Sequence, residues 1–233
     1  MFEFFSNWFE RLYKTFIVEE RYMMLIEGFG NTLLITVGAL LIGVILGTLV
    51  AVAIFFSEDK KSLKPIKTIC NFYVTAVRGI PVVVLLFIFY FVIMPTAKSG
   101  VLVAILTFGI NSGAYMAEIV RGGILAVDKG QMEAGRSLGM SKTQAMRKIV
   151  FPQAVKNILP AIGNEMIALF KETSVAGYVA VTDLTRAGNL IRNNTYDAVN
   201  PLMAVALVYL IVVVLLTRLL AVFERRLRKS DNR

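Results

Sequence analysis

The chain has no histidine, and cysteine occurs once, at Cys70. A single cysteine excludes an internal disulfide, and without histidine there is no His/Cys set to hold a metal. No combination of nucleophile, metal ligands or cofactor-binding residues is present, so a protein that is not an enzyme, with no cofactor bound by this chain, is expected. The first residues carry no small-residue cleavage site behind a short apolar core, so no removable signal peptide is expected either. Charged residues are scarce, at 18% of 233.

What is abundant is apolar residues, at 57%, with a mean hydropathy of +0.68. Soluble domains run near 45–50% apolar. Several runs exceed the ~20 residues a helix needs to cross ~30 Å of hydrocarbon. The fold class is therefore an all-α membrane protein, with five spans near 25–56, 66–94, 101–124, 152–176 and 201–223. The net charge of +9 does not point to nucleic acid, because the basic residues fall in alternate loops. Segments 57–67, 121–150 and 218–233 hold four, six and six of them; the N-terminal segment, the 95–100 turn and the 177–200 loop hold three, one and two. By the positive-inside rule the first set faces the cytoplasm, which puts the N-terminus outside and the C-terminus inside.

Residues 1–23 form an amphipathic segment. Phe2, Phe5, Trp8, Phe9, Leu12, Tyr13 and Phe16 recur at helical spacing, which predicts a helix in the membrane interface. The remaining 24–233 form one transmembrane domain. In the first span Ala39, Gly43, Gly47 and Ala51 repeat every four residues, a seam where another backbone can approach closely. The second span is interrupted by Arg78-Gly79-Ile80-Pro81. Proline removes a helix hydrogen bond, so a kink or break is expected there, and broken helices at mid-membrane are frequent at transport sites. Arg78 reads either as a substrate residue or as a snorkelling arginine beside a kink. Residues 177–200, rich in Thr, Asn, Asp and Arg, read as a loop.

Charged residues inside a span face a cavity or a partner. On the fourth span Asn157, Asn164 and Lys171 lie seven apart and share a stripe, with Glu165 and Glu172 on the next. On the third, Asn111 and Glu118 are also seven apart. Asn164 lies ~18 Å from the cytoplasmic end at 1.5 Å per residue, about mid-bilayer, and Asn111 reaches a similar depth from outside. Asn111, Glu165 and Lys171 offer an amide, an anion and a cation, which would suit a free amino acid. The alternative is that Glu165 and Lys171 pair with neighbouring helices and only hold the bundle together.

The loop at 122–151 carries Glu133-Ala134-Gly135-Arg136-Ser137-Leu138-Gly139, then nine residues to Ile149-Val150-Phe151-Pro152. Gly130 to Ser137 is one residue short of a phosphate-binding loop, with Arg136 where the lysine belongs, and it follows a membrane helix rather than a strand. The spacing instead resembles the EAA loop of ABC-importer permeases, with Gly135 in place of the last alanine and Phe151 in place of leucine. With Arg78–Pro81, the run Asn111–Arg121 and the run Pro152–Ser174, the chain from Gly28 to Arg228 is similar to the membrane subunits of polar amino acid importers (the His/Glu/Gln/Arg/opine family). That resemblance implies the type I ABC importer fold: five spans and a short cytoplasmic coupling helix. It implies a bacterial cytoplasmic membrane and partners: a second permease subunit, identical or related, a dimer of ATPase subunits carrying ATP and Mg, and a separate extracellular substrate-binding protein delivering a polar amino acid. Glu133, Ala134, Gly135, Arg136 and Gly139 would couple to the ATPase. Asn111, Glu165, Lys171, Asn164, Glu118 and Arg78 would line the substrate pathway.

Two other classes compete. A stand-alone, ion-coupled secondary amino acid transporter is disfavoured by five spans without an internal repeat, since such folds are usually built from repeats. A membrane enzyme using intramembrane carboxylates has no supporting nucleophile or cofactor set.

Overall fold

The computed structural model describes residues 9–57 and 61–229, and those residues are helical almost throughout. The first long helix, α1 (Tyr22–Ser57), has 36 residues, about 54 Å at 1.5 Å each, so it overreaches a ~30 Å hydrocarbon layer. Next come α2 (Lys64–Gly79) and α3 (Val82–Phe87), the latter continuing as a wider, π-type turn over Ile88–Ile93. Helix α4 spans Gly100–Leu125, with the Ser99 hydroxyl accepting from Leu102 N–H at its start. Two short helices, α5 (Lys129–Ser137) and α6 (Lys142–Ala145), lead through Met146–Val150 into α7 (Phe151–Glu172). A tight turn of 3-10 helix (Thr173–Val179), α8 (Leu184–Thr195) and α9 (Asn200–Lys229) complete the chain.

Among the described residues α1, α4 and α9 are each long and apolar enough to cross a membrane, and α2 with Val82–Ile93 does so as a pair bent by 105°. Helix α7 has 22 residues and the length to cross, but Lys156, Glu165, Lys171 and Glu172 make it too polar to qualify on composition. It runs from the α5–α6 end of the bundle to the opposite end, where α8 packs beside α1. Its polarity means that one face cannot lie against lipid.

The small-residue seam on α1 is where the bundle closes. Ala39, Gly43, Gly47 and Ala51 are all buried. A Cβ at Gly43 would stand 2.8 Å from Ser112 Oγ, and one at Gly47 would stand 2.7 Å from Ala117 N and Gly113 O. No side chain separates α1 from α4 here, as expected where van der Waals packing rather than water exclusion drives association. One apolar cluster (Ile35, Ala39, Leu86, Ala104, Phe108, Leu169, Ala176) ties α1, α3, α4 and α7 at the α8 end. A second (Ala51, Val120, Met146, Val150, Ala154, Ile158) ties α1, α4 and α7 to the segment after α6. Helix α9 packs along one side only, Tyr209 meeting Phe170 of α7 and Thr185 of α8, and few of its residues are fully buried.

Three elements differ from the sequence reading. The fourth span ends at Glu172, not 176, because the chain tightens into the 3-10 turn. The polar segment 177–200 is not a loop throughout but contains α8, which starts where the Asp183 carboxylate accepts from Thr185 N–H and Arg186 N–H. Leu184, Ala187, Gly188 and Ile191 are buried, a spacing of 3, 4 and 7 that marks an amphipathic helix. The N-terminal amphipathic segment is helical over 9–17, then turns at Glu19 and Glu20, both left-handed at φ 59° and 51°. Phe2, Phe5 and Trp8 lie outside the described residues.

Candidate translocation path and coupling loop

At the middle of the bundle Gly43, Ser112 and Glu165 form a line across three helices. The absence of a side chain at Gly43 leaves room for the Ser112 hydroxyl, which donates to Glu165 Oε1 at 2.9 Å. Asn111, next to Ser112 on α4, is buried, at 4% exposure. Glu165 makes no ion pair among the described residues. Its charge is met by a neutral hydroxyl, which leaves acceptor capacity on the carboxylate. Glu165 thus pairs with the neighbouring α4 through a hydroxyl, and among the described residues neither it nor Lys171 forms an ion pair with another helix.

Asn157, Asn164 and Lys171, one stripe by helix arithmetic, are all exposed on α7. Asn164 donates to the carbonyl of Pro160 in its own helix at 3.2 Å, and Lys171 makes no ion pair among the described residues. The structure thus brings Glu165 to α4 through Ser112, beside Asn111, and places Lys171 on the adjacent stripe about 9 Å further along the helix.

The break in the second span follows from local chemistry. Pro81 bars the helical conformation to the residue before it, and Ile80 is extended at φ −100°, ψ 129°, so α2 stops at Gly79. Arg78, at the end of α2, is exposed and places its guanidinium carbon 5.2 Å from the centre of the Tyr115 ring. Five residues earlier, Tyr73 OH donates to Ile110 O at 2.6 Å. A Cβ at Gly113 would stand 2.7 Å from that hydroxyl, so the glycine lets α2 lock onto α4. Glu118, one turn beyond Tyr115, pairs with Arg121 at 2.9 Å.

In the loop, Asp128 caps α5 by accepting from Gly130 N–H at 2.6 Å. Gly130 to Ser137 is therefore helix, not the open loop that cradling a phosphate requires. Glu133, Ala134, Arg136 and Gly139 are exposed, while Gly135 is buried. A Cβ on Gly135 would stand 2.8 Å from Ile149 Cδ1 and 3.1 Å from Ala145 Cβ, so the residue that departs from the EAA pattern sits under the returning segment. Gly139 is left-handed at φ +83° with open space around it; the turn needs its conformation rather than its small size. Ser141 and Gln144 form a capping box at α6, and Lys142 Nζ lies 4.6 Å from the centre of the Phe55 ring at the end of α1. The loop is thus tied to α1 by Lys142 and to α4 and α7 through Met146 and Val150.

A model of the binding-protein-dependent transport system inner membrane component matches residues 39–229. The chain belongs to that family. This family member is 35% identical over 210 residues to the arginine transport system permease protein ArtQ of Bacillus subtilis (strain 168), covering 89% of this chain and 94% of that protein. It is 36% identical over 217 residues to the protein of the same organism named Probable glutamine ABC transporter permease protein GlnM, covering 92% and 98%. Among solved structures it resembles an amino acid ABC transporter crystallised with histidines, at 38% identity and a TM-score of 0.83, covering 91% of this chain and 98% of that one. The inward-facing MetNI methionine transporter, at 22% identity and a TM-score of 0.76, shares the fold.

Sequence reasoning named Asn111, Glu118, Glu165 and Arg78 but not the residues that hold two of them, Ser112 for Glu165 and Tyr115 for Arg78. Both lie within the Asn111–Arg121 run. Neither is recognisable until the crossing of α4 with α7 and α2 is known.

Proposed function

We propose that this family member is the permease subunit of an ATP-driven importer for a polar amino acid, and that the amino acid passes along the exposed polar stripe of α7. The observation that carries this reading is the stripe itself. Three polar side chains at seven-residue spacing, in a helix long enough to span, point away from their own bundle. A lysine and two amides are too costly to leave against lipid, so the face belongs to an aqueous path shared with a second permease subunit. Glu165, held at mid-bundle by Ser112 beside Asn111, suits a substrate ammonium. Lys171 suits a carboxylate.

On this reading the α5–α6 end is cytoplasmic, the N-terminal segment and α8 are outside, and residues 133–139 dock in a cleft of a separate ATPase. Motion of α5 reaches the spans through Gly135 on Ile149, Met146 and Val150 in the second apolar cluster, and Lys142 on Phe55. ATP hydrolysis belongs to that partner, and an extracellular binding protein supplies the substrate. The names of ArtQ and GlnM support an amino acid as cargo, and the arginine or glutamine side chain suits a path that offers both charge signs.

The test is uptake by the reconstituted transporter. It should require ATP and the binding protein and persist when ion gradients are collapsed; loss of uptake with the gradient, ATP being present, would favour a secondary transporter. Glu165→Ala should abolish uptake or change selectivity while the complex assembles normally. Failure to assemble would make Glu165 structural.

A further inference from the structure

A second polar site lies at the far end of α7, away from the coupling loop. Ser174, Gly177, Tyr178, Thr185, Arg186 and Asn189, with Asn193 behind them, line an open cavity of about 340 Å³ between the 3-10 turn and α8, near the small end of the 300–1,000 Å³ range of ligand pockets. It lies just past the end of the α7 stripe: Ser174, in the 3-10 turn, follows Lys171 by three residues. On α8, Arg186, Asn189 and Asn193 fall at spacings of 3 and 7 and share one face, opposite the buried face of Leu184, Ala187 and Ile191.

The charge in this cavity is one-sided. Among the described residues no carboxylate lines it. Arg186 is half-buried and donates from Nη1 to Gly177 O at 2.6 Å, which fixes the guanidinium, and it has no ion-pair partner among the described residues. The nearby Asp183 is fully buried, and its two oxygens accept from the backbone N–H groups of Thr185 and Arg186. A half-buried guanidinium with donors left over and no ion pair is matched by a carboxylate, which it can bind in a charge-assisted, two-pronged way.

We propose that this cavity is an outer staging site for the free amino acid, where Arg186 binds its α-carboxylate and Asn189 and Asn193 bind its remaining polar groups before it moves along the α7 stripe. The inference rests on the importer reading above. An acidic side chain of the binding protein is the competing occupant, and the cavity's size and its place just past the end of the stripe favour the free amino acid.

The test uses the assembled transporter in nanodiscs. The probe is whichever of the twenty common amino acids most raises the Tm of the complex, with its α-carboxamide as the control lacking the carboxylate. Equilibrium binding should show two classes of site. Arg186→Gln, which removes the charge but keeps an N–H donor, should weaken one class at least tenfold, and Arg186→Lys should restore part of it. Glu165→Gln should affect only the other class. Asn189→Asp, which places a carboxylate beside Arg186, should lower binding in the same class and keeps the test available if Arg186→Gln fails to assemble. The carboxamide should miss the Arg186-dependent class in the wild type. If Arg186 and Asn189 variants bind like wild type while Glu165→Gln does not, the staging site is wrong and the importer reading stands. If these variants change only capture of the binding protein, the occupant is a protein carboxylate and the proposal falls. If no amino acid binds at all, both readings fall.

Discussion

Single atoms decide the centre of this protein. The Glu165 carboxylate is oriented by one hydroxyl, Ser112 Oγ at 2.9 Å, and that hydroxyl has its place because Gly43 lacks a Cβ. Hydrogen bonds between membrane helices contribute about 0.6 kcal/mol on average and at most about 1.7. Ser112→Ala should therefore leave the Tm of the complex within a few degrees of wild type while uptake falls severalfold, because the carboxylate loses its orientation. Gly43→Ala should do more, lowering both quantities. Its new methyl meets not only Ser112 Oγ but also Gly113 N, at 3.3 Å, and a backbone cannot swing aside as a side chain can. Equal Tm values for Gly43→Ala and wild type would show that the α1–α4 seam has slack the packing does not indicate.

At the scale of elements, two connections stand out for what they hold. The α5–α6 turn depends on Gly139 at φ +83°, a conformation that costs other L-residues about 1–2 kcal/mol, with Asn and Asp more tolerant. Nothing lies within 4 Å of a Cβ built there, so Gly139→Val, whose branched side chain disfavours a positive φ, should leave the permease folded and membrane-inserted, yet uncouple uptake from ATP hydrolysis as the loop loses its angle. Wild-type uptake in that variant would remove the docking role from the loop.

The second connection joins the N-terminal segment to the turn before α9, where Asp197 accepts from Thr15 Oγ1 at 2.9 Å, from Asn200 Nδ2 at 2.6 Å and from the backbone N–H groups of Val199 and Asn200. Burial alone would raise the Asp197 carboxyl, but these hydrogen bonds outweigh it and hold the carboxyl below its ordinary value. A carboxyl depressed in the folded state contributes stability that is present above its unfolded pKa, ~3.9 for aspartate, and is lost as pH falls through the lower folded value. Amide hydrogen exchange of residues 9–17 should therefore stay protected from pH 7 to about pH 5 and rise only below about pH 4. Loss of protection between pH 7 and 5 would mean that Asp197 is not the clamp.

On the proposed reading, the molecule as a whole is half of a path. Its polar α7 stripe is open on one side and many apolar side chains of α9 are exposed, which is how a subunit looks when its partner surfaces are unmet. Mild-detergent purification from native membranes should bring down a complex whose mass fits two permease chains and two ATPases. Two copies of this chain would make the path symmetric. One copy with a related permease would place an Arg186 site on one side only. Recovery without any ATPase would undercut the loop's role.

Periodicity and composition were enough to establish the all-α membrane class, the seam on α1, the break at Pro81 and the short helix and turn of the 122–151 loop. Each of these is local: a run of apolar residues, a four-residue repeat, a proline without an N–H, a glycine where the chain must turn left-handed. Helix α8 was missed because its polar residues read as loop, although Asp183 as a cap and the spacing of Leu184, Ala187, Gly188 and Ile191 are the signals that could have found it. What the sequence could not determine was which side chains meet. Ser112 reaches Glu165 from 53 positions away and Arg78 lies over Tyr115 on another helix, with Gly43 leaving room for the Ser112 hydroxyl and Gly113 for Tyr73 where the helices cross. The helical stripes place residues on faces; only the crossings decided that Glu165 faces a hydroxyl, that Lys171 stands apart, and that Arg186 closes a cavity at the end of the same stripe.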